Sequence, residues 1–106
     1  MSASQYDVFD NPISRARRAF PYVAILQSDL ADTGSDRLVA PLVARARLAG
    51  AVGRLLPIVP VLGTDHVLIV PRMTPVAAVD LGAPKDSLTG YRNDIVAALD
   101  LLFLGV

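Results

Sequence analysis

Ser87-Leu88-Thr89-Gly90-Tyr91-Arg92-Asn93-Asp94-Ile95-Val96-Ala97-Ala98-Leu99-Asp100-Leu101-Leu102-Phe103-Leu104-Gly105-Val106 closes the chain, and its period differs from everything before it. Leu88, Tyr91, Ile95, Ala98, Leu99 and Leu102 recur at helical spacing. Ser87 is a candidate N-cap and Gly105 a candidate stop. The spacing predicts one C-terminal helix over about residues 87–104. Gly90 weakens its start. Its last turn is apolar on every side, because no polar residue follows Asp100. A helix packed on its own domain buries one stripe and solvates the rest. Either this turn is tucked into the core or a homodimer interface, or it is a contact surface for another molecule.

The body before that helix reads as short strands. Tyr6–Phe9 is brief and mixed, and residues 10–19, with Asn11-Pro12 and then Arg15, Arg17 and Arg18, form an exposed connection. Pro21–Gln27 is an apolar run ended by the turn-prone Ser28, Asp29, Asp32, Thr33 and Gly34. Arg37–Val43 is a second run, and Pro41 inside it suggests an edge position or a bulge. Residues 44–56 have some helical character, against which Gly50 and Gly53 count. Leu56–Leu62 carries Pro57 and Pro60, so it must be an edge or irregular strand. Gly63-Thr64-Asp65 makes a turn, and Val67–Val70 and Val76–Leu81 complete the set. Short runs spaced by roughly 8 to 12 residues predict a small all-β barrel or sandwich.

At 106 residues the chain is read as one domain, residues 1–106, long enough for a core without staples. A hydrophobic fraction of 53% leans toward an oligomer that buries extra surface. Ten acidic residues balance ten basic ones, which counts against a nucleic-acid-binding module. All ten acids are Asp, a turn and cap former, and nine of the ten bases are Arg. There is no Cys, so disulfide and thiolate chemistry are excluded. The first eleven residues lack a signal-peptide pattern, and prolines or Asp100 break every apolar run well short of the roughly 20 residues that span a bilayer. A cytoplasmic protein is expected, with no membrane association.

Catalytic signals are missing. His66 is the single histidine and, following Asp65, reads as a solvated turn residue. Without Cys or a second His, no zinc site is expected. The glycines form no phosphate-cradling pattern. Arg15, Arg17 and Arg18 read as a solvated loop, with an acidic partner or nucleic acid as the functional alternative, and the lack of an interleaved aromatic platform makes the nucleic-acid signal weak. No cofactor, metal or catalytic residue is expected, and the chain is read as a non-enzyme.

Several blocks, taken in order, resemble the CcdB toxins. They are Gln27-Ser28-Asp29-Leu30 with Asp32-Thr33, then Arg37-Leu38-Val39-Ala40-Pro41-Leu42, then Leu56-Pro57-Ile58-Val59. Met73 and the closing Asn93-Asp94-Ile95, Ala98, Leu101, Phe103 and Gly105 follow at matching spacing. The likeness runs from about Tyr6 to the last residue, with a short insertion around residues 11–18. It implies a mostly β fold, an SH3-like small barrel with a short side sheet and one C-terminal α-helix. It also implies a plasmid-maintenance type of toxin that forms a homodimer, binds the A subunit of DNA gyrase, traps the enzyme on cleaved DNA and is neutralised by a CcdA-like antitoxin. Neither catalysis nor direct nucleic-acid binding is implied.

Carried over by position, the resemblance implies a gyrase-binding surface of Leu104, Gly105 and Val106, supported by Phe103 and Asp100 and flanked by Leu30 and Ala31. Gly105 would allow close backbone approach, with any side chain there expected to clash. This chain departs from the pattern at Leu104, where the gyrase poisons carry tryptophan. A tryptophan stacks on a guanidinium, and leucine has no π-face with which to do so. Two other readings compete. A MazF-like endoribonuclease would use basic groups such as Arg37, Arg72 or Arg92. A non-toxic homologue would bind antitoxin but no longer poison gyrase.

Overall fold

The structure is a computed structural model that describes residues 3–31, 33–50 and 52–105. Seven strands run β1 (Asp7–Asp10), β2 (Tyr22–Ile25), β3 (Asp36–Ala44), β4 (Ile58–Val61), β5 (Thr64–Leu68), β6 (Thr74–Ala77) and β7 (Asp86–Ser87), followed by helix α1 (Arg92–Leu104). They form one antiparallel sheet in the order β4-β5-β3-β2-β1-β7, with β6 paired to β3 off that path. The fold is mostly β, a nearly closed, barrel-shaped sheet with one C-terminal helix, consistent with a small SH3-like barrel.

β3 makes this shape possible. Its first half, Asp36–Val39, pairs with β6, and its second half, Leu42–Ala44, pairs with β5, while the opposite edge follows β2. Pro41 sits where that side of β3 passes from β6 to β5. It therefore lies in a central strand, not an edge strand as its proline suggests, and at a gap between partners where no N–H is required. Its carbonyl still accepts from the Ile69 N–H at 2.9 Å. β4, with Pro60, does lie at the sheet's end. The two terminal strands are pinned by a side chain: the Asp86 carboxylate accepts from the Leu62 N–H at 2.8 Å.

Period-two alternation sends neighbouring residues of β1–β3 into two different cores. Val8, Ala24, Ala40 and Leu42 join Val59, Val61, Leu68, Leu88, Ile95 and Ala98 beneath α1. Phe9, Val23, Ile25 and Val39 pack with Leu81 on the other face. Burial on both faces explains why β2 and most of β3 read as unbroken apolar runs.

Local turns follow residue chemistry. The β4–β5 hairpin turns on Leu62 and Gly63, with φ of 50° and 83°. Positive φ at both central residues is the type I′ arrangement. Tyr6 also lies at positive φ, so β1 begins at Asp7 instead of Tyr6. The Arg-rich connection is less open than it reads. Asn11 is buried, its Nδ2 donates to the Phe20 carbonyl at 2.9 Å, and its Oδ1 accepts from the Ile13 N–H. Residues 45–47 make only a single 3-10 turn, so the helical potential of residues 44–56 is not realised beyond that point.

His66 is the clearest departure from expectation. It lies within β5, is buried, and stacks edge-on against Tyr22 with ring centroids 5.5 Å apart. Its Nδ1 is 2.7 Å from the Thr64 carbonyl, which can only accept, so Nδ1 carries a proton. The turn ends at Gly63, two residues earlier than Gly63-Thr64-Asp65 implies, which places His66 in the ladder opposite Ala44 and Val59.

Candidate functional site: the helix end and its flanking loop

α1 starts at Arg92, not Ser87. Ser87 belongs to β7, paired with Asp7, and a 3-10 turn at Thr89–Tyr91 precedes the helix. The Ser87 Oγ bonds Thr89, which shapes this turn, while α1 itself has no side-chain N-cap. The strand competes for Ser87 and wins because β7 closes the sheet beside β1. Ile95 and Ala98 are fully buried, with Leu99 and Leu102 packed partly against the same core. Leu88 is also buried, ahead of the helix, whereas Tyr91 faces outward.

The opposite face of the helix end is the candidate site. Asp100, Phe103 and Leu104 stand at i, i+3 and i+4, so they lie side by side on one face. All three are exposed, Phe103 at 68% and Leu104 at 71%. Two large apolar side chains left in water at a helix end mark a candidate contact surface. Asp100 has no ion-pair partner among the described residues. Its carboxylate beside Phe103 and Leu104 is therefore a ready acceptor for a cationic group. On the inner side, Leu101 lines an apolar cavity of about 390 Å³ together with Pro71 and residues 53–56.

Gly105 ends the helix with φ of 74°, and its N–H donates to the Leu101 carbonyl at 3.2 Å. The expected clash of a side chain there is not found within the chain: a Cβ would meet nothing within 4 Å. What requires glycine is the left-handed backbone, which carries a cost for any residue with a Cβ. Val106, assigned to the same surface by resemblance, lies outside the described residues.

Leu30 and Ala31 stand on a different support. They sit in the loop between β2 and β3, and Leu30 is 95% exposed. They line a groove of about 440 Å³ with Gln27, Ser28, Thr33 and Arg37. The helix end presents an exposed apolar face and this loop an exposed leucine beside a mainly polar groove, each on its own scaffold.

A third surface has no counterpart among the sequence motifs. Two apolar pockets, of about 420 and 170 Å³, meet at Phe20 and Arg72. The Arg72 guanidinium lies over the Phe20 ring, 5.6 Å from its centroid. The larger pocket adds Val43, Leu48, Leu56, Ile69 and Arg47, and among the described residues no acidic one lines either pocket. Arg15 and Arg18 are exposed on the adjoining connection. The run of arginines at residues 15–18 was the one available signal, but it carried no hint of Phe20 or Arg72 beside it.

The arginines of the ribonuclease reading do not converge. Arg37 donates to the Gly34 and Asp36 carbonyls in the loop groove, Arg72 covers Phe20, and Arg92 opens α1. Among the described residues no cluster of His, Asp or Glu has metal-binding geometry, and no helix is long and apolar enough to cross a membrane.

Comparison with the curated proteins found no match. Comparison with family models matched the CcdB protein model over residues 5–105, nearly the whole of this 106-residue chain. With its barrel, its capped C-terminal helix and this match, the chain belongs to the CcdB family, whose members are toxins of toxin–antitoxin modules.

Proposed function

We propose that this toxin acts in the cytoplasm as a homodimer that binds the A subunit of DNA gyrase and stabilises the cleaved-DNA complex. It acts by binding, without chemistry of its own. The observation that carries the reading is the exposed face of Asp100, Phe103 and Leu104 on a helix end that Gly105 terminates. An apolar pair beside a free carboxylate suits a target pocket that is greasy at its base and basic at its rim. Leu104 replaces stacking with apolar burial alone, so affinity rests on the area covered and on two tails acting together.

The antitoxin has its own supporting observation. The groove around Phe20 is apolar along its floor and edged by Arg47 and Arg72, with no acid among the described residues of its lining. It suits an acidic segment whose apolar residues enter the groove while its carboxylates meet the arginines. A flexible antitoxin segment would order on binding there.

The test is a gyrase reaction with purified toxin, plasmid DNA and ATP, reading supercoiling and trapped double-strand breaks. Accumulating breaks are the expected result. Normal supercoiling without breaks refutes gyrase poisoning, and cleavage of RNA by the same preparation would transfer the assignment to the ribonuclease reading. Light scattering should return twice the chain mass of 11.2 kDa, and a monomer mass would refute the dimer.

A further inference from the structure

We infer that Gln27 is a positioning residue that holds the Leu30–Ala31 loop in its recognition shape; the inference rests on the gyrase reading of that loop. Gln27 follows β2 at the point where the β2–β3 ladder stops. Leu26 N–H still donates to the Leu38 carbonyl at 3.0 Å, but the reciprocal bond is replaced. The Leu38 N–H donates instead to Gln27 Oε1 at 2.6 Å, and the Leu26 carbonyl accepts from Gln5 Nε2 at 3.0 Å. One side chain thus stands in for the last rung and frees the backbone to leave the sheet.

The other end of the same amide grips the far side of the loop. Thr33 Oγ1 has a single proton, which it donates to the Asp36 carbonyl at 2.6 Å. Its lone pair then receives Gln27 Nε2–H at 2.9 Å, and the Ala31 carbonyl lies 3.4 Å from the same nitrogen. The amide is therefore oriented by its partners, with oxygen toward Leu38 and nitrogen toward Thr33. Ser28 completes the turn: its Oγ accepts from the Leu30 N–H at 3.1 Å and its carbonyl from the Ala31 N–H at 3.0 Å. Three polar side chains thus preform a tip whose leucine touches almost nothing of its own chain. A loop ordered before binding loses less entropy on binding, so the gain appears as affinity.

The experiment compares full-length wild type, Gln27→Ala, Thr33→Val, Leu30→Ala and the Gln27→Ala/Leu30→Ala double variant. It measures the toxin concentration giving half-maximal gyrase cleavage, the thermal midpoint, and hydrogen exchange at Leu30 and Ala31. Gln27→Ala should raise the half-maximal concentration about fivefold to tenfold and speed exchange at both amides, with the dimer intact. Thr33→Val, at an exposed position, should shift both readouts in the same direction. Added to Leu30→Ala, the Gln27 change should cost less than about twofold more, because it acts through that tip. Wild-type potency in Gln27→Ala, or additive losses in the double variant, would overturn the inference. If wild type traps no cleaved complex, the gyrase reading fails instead. Exchange at Leu30 and Ala31 then decides the positioning role, and unchanged rates in Gln27→Ala would overturn it.

Discussion

Removing Leu104–Val106 should abolish gyrase trapping and leave a folded dimer. Leu104 is 71% exposed, so less than a third of its surface is covered by its own chain. Full burial of a leucine is worth about 1.5–3 kcal/mol, and the covered part therefore contributes less than about 1 kcal/mol. The Gly105 N–H bond to Leu101 adds about 0.5–1.5 kcal/mol, toward the low end at an open helix terminus. The combined cost is about 1–2 kcal/mol, against a total of about 5–15 kcal/mol for a domain of ordinary stability. That corresponds to a thermal midpoint lower by about 5–15 °C. On the target, covering the remaining surface of Leu104 is worth about 1–2 kcal/mol per tail. For two tails the loss is about 2–4 kcal/mol, or a factor of about 30 to 1,000 in the concentration needed. The assay titrates full-length and truncated toxin into the cleavage reaction and follows unfolding of both by calorimetry. Equal potency after truncation would refute the contact surface. A midpoint that falls by more than about 20 °C would show that the turn is part of the fold instead.

Leu104→Trp should lower the half-maximal concentration by a factor of about 5 to 1,000, the worth of two regained stacks, one on each tail of the dimer, in the same cleavage assay. Ile95→Ala should cost about 2–5 kcal/mol in denaturant unfolding, because Ile95 is fully buried where α1 meets the larger core. Leu62→Asn should gain about 0.5–1 kcal/mol by the same measurement, since Leu62 is exposed at φ of 50° ahead of Gly63 and Asn tolerates that backbone better. A loss would show that the Leu62 side chain has a structural role. Joint Arg47→Glu and Arg72→Glu substitution should weaken binding of an acidic antitoxin segment at least about tenfold while gyrase trapping stays unchanged, measured by calorimetry and the cleavage assay.

How much could be read in advance depends on how far each residue's partner lies along the chain. The helical period of Ile95, Ala98, Leu99 and Leu102, the stop at Gly105, the all-apolar last turn and the edge strand with Pro60 all rest on neighbours within a few residues and are visible in the sequence by itself, whereas the exposure of Phe103 and Leu104 is not. Even the family could be recognised there, because block order survives without any contact map. Tertiary pairing decided the rest. Ser87 caps nothing on α1 because β1, eighty residues earlier in the chain, claims it for the sheet. Pro41 is central because β5 and β6 share one side of β3 and leave a gap at its ring. His66 is buried because Tyr22 and the ladder to β3 and β4 close over it. The groove at Phe20 and Arg72 is likewise made by residues brought together from separate segments, and Gln27 ties its own loop to Leu38 of β3. Local propensity acts over a turn of helix or a hairpin, whereas burial and hydrogen-bond exchange depend on which distant segments the collapsed barrel places side by side.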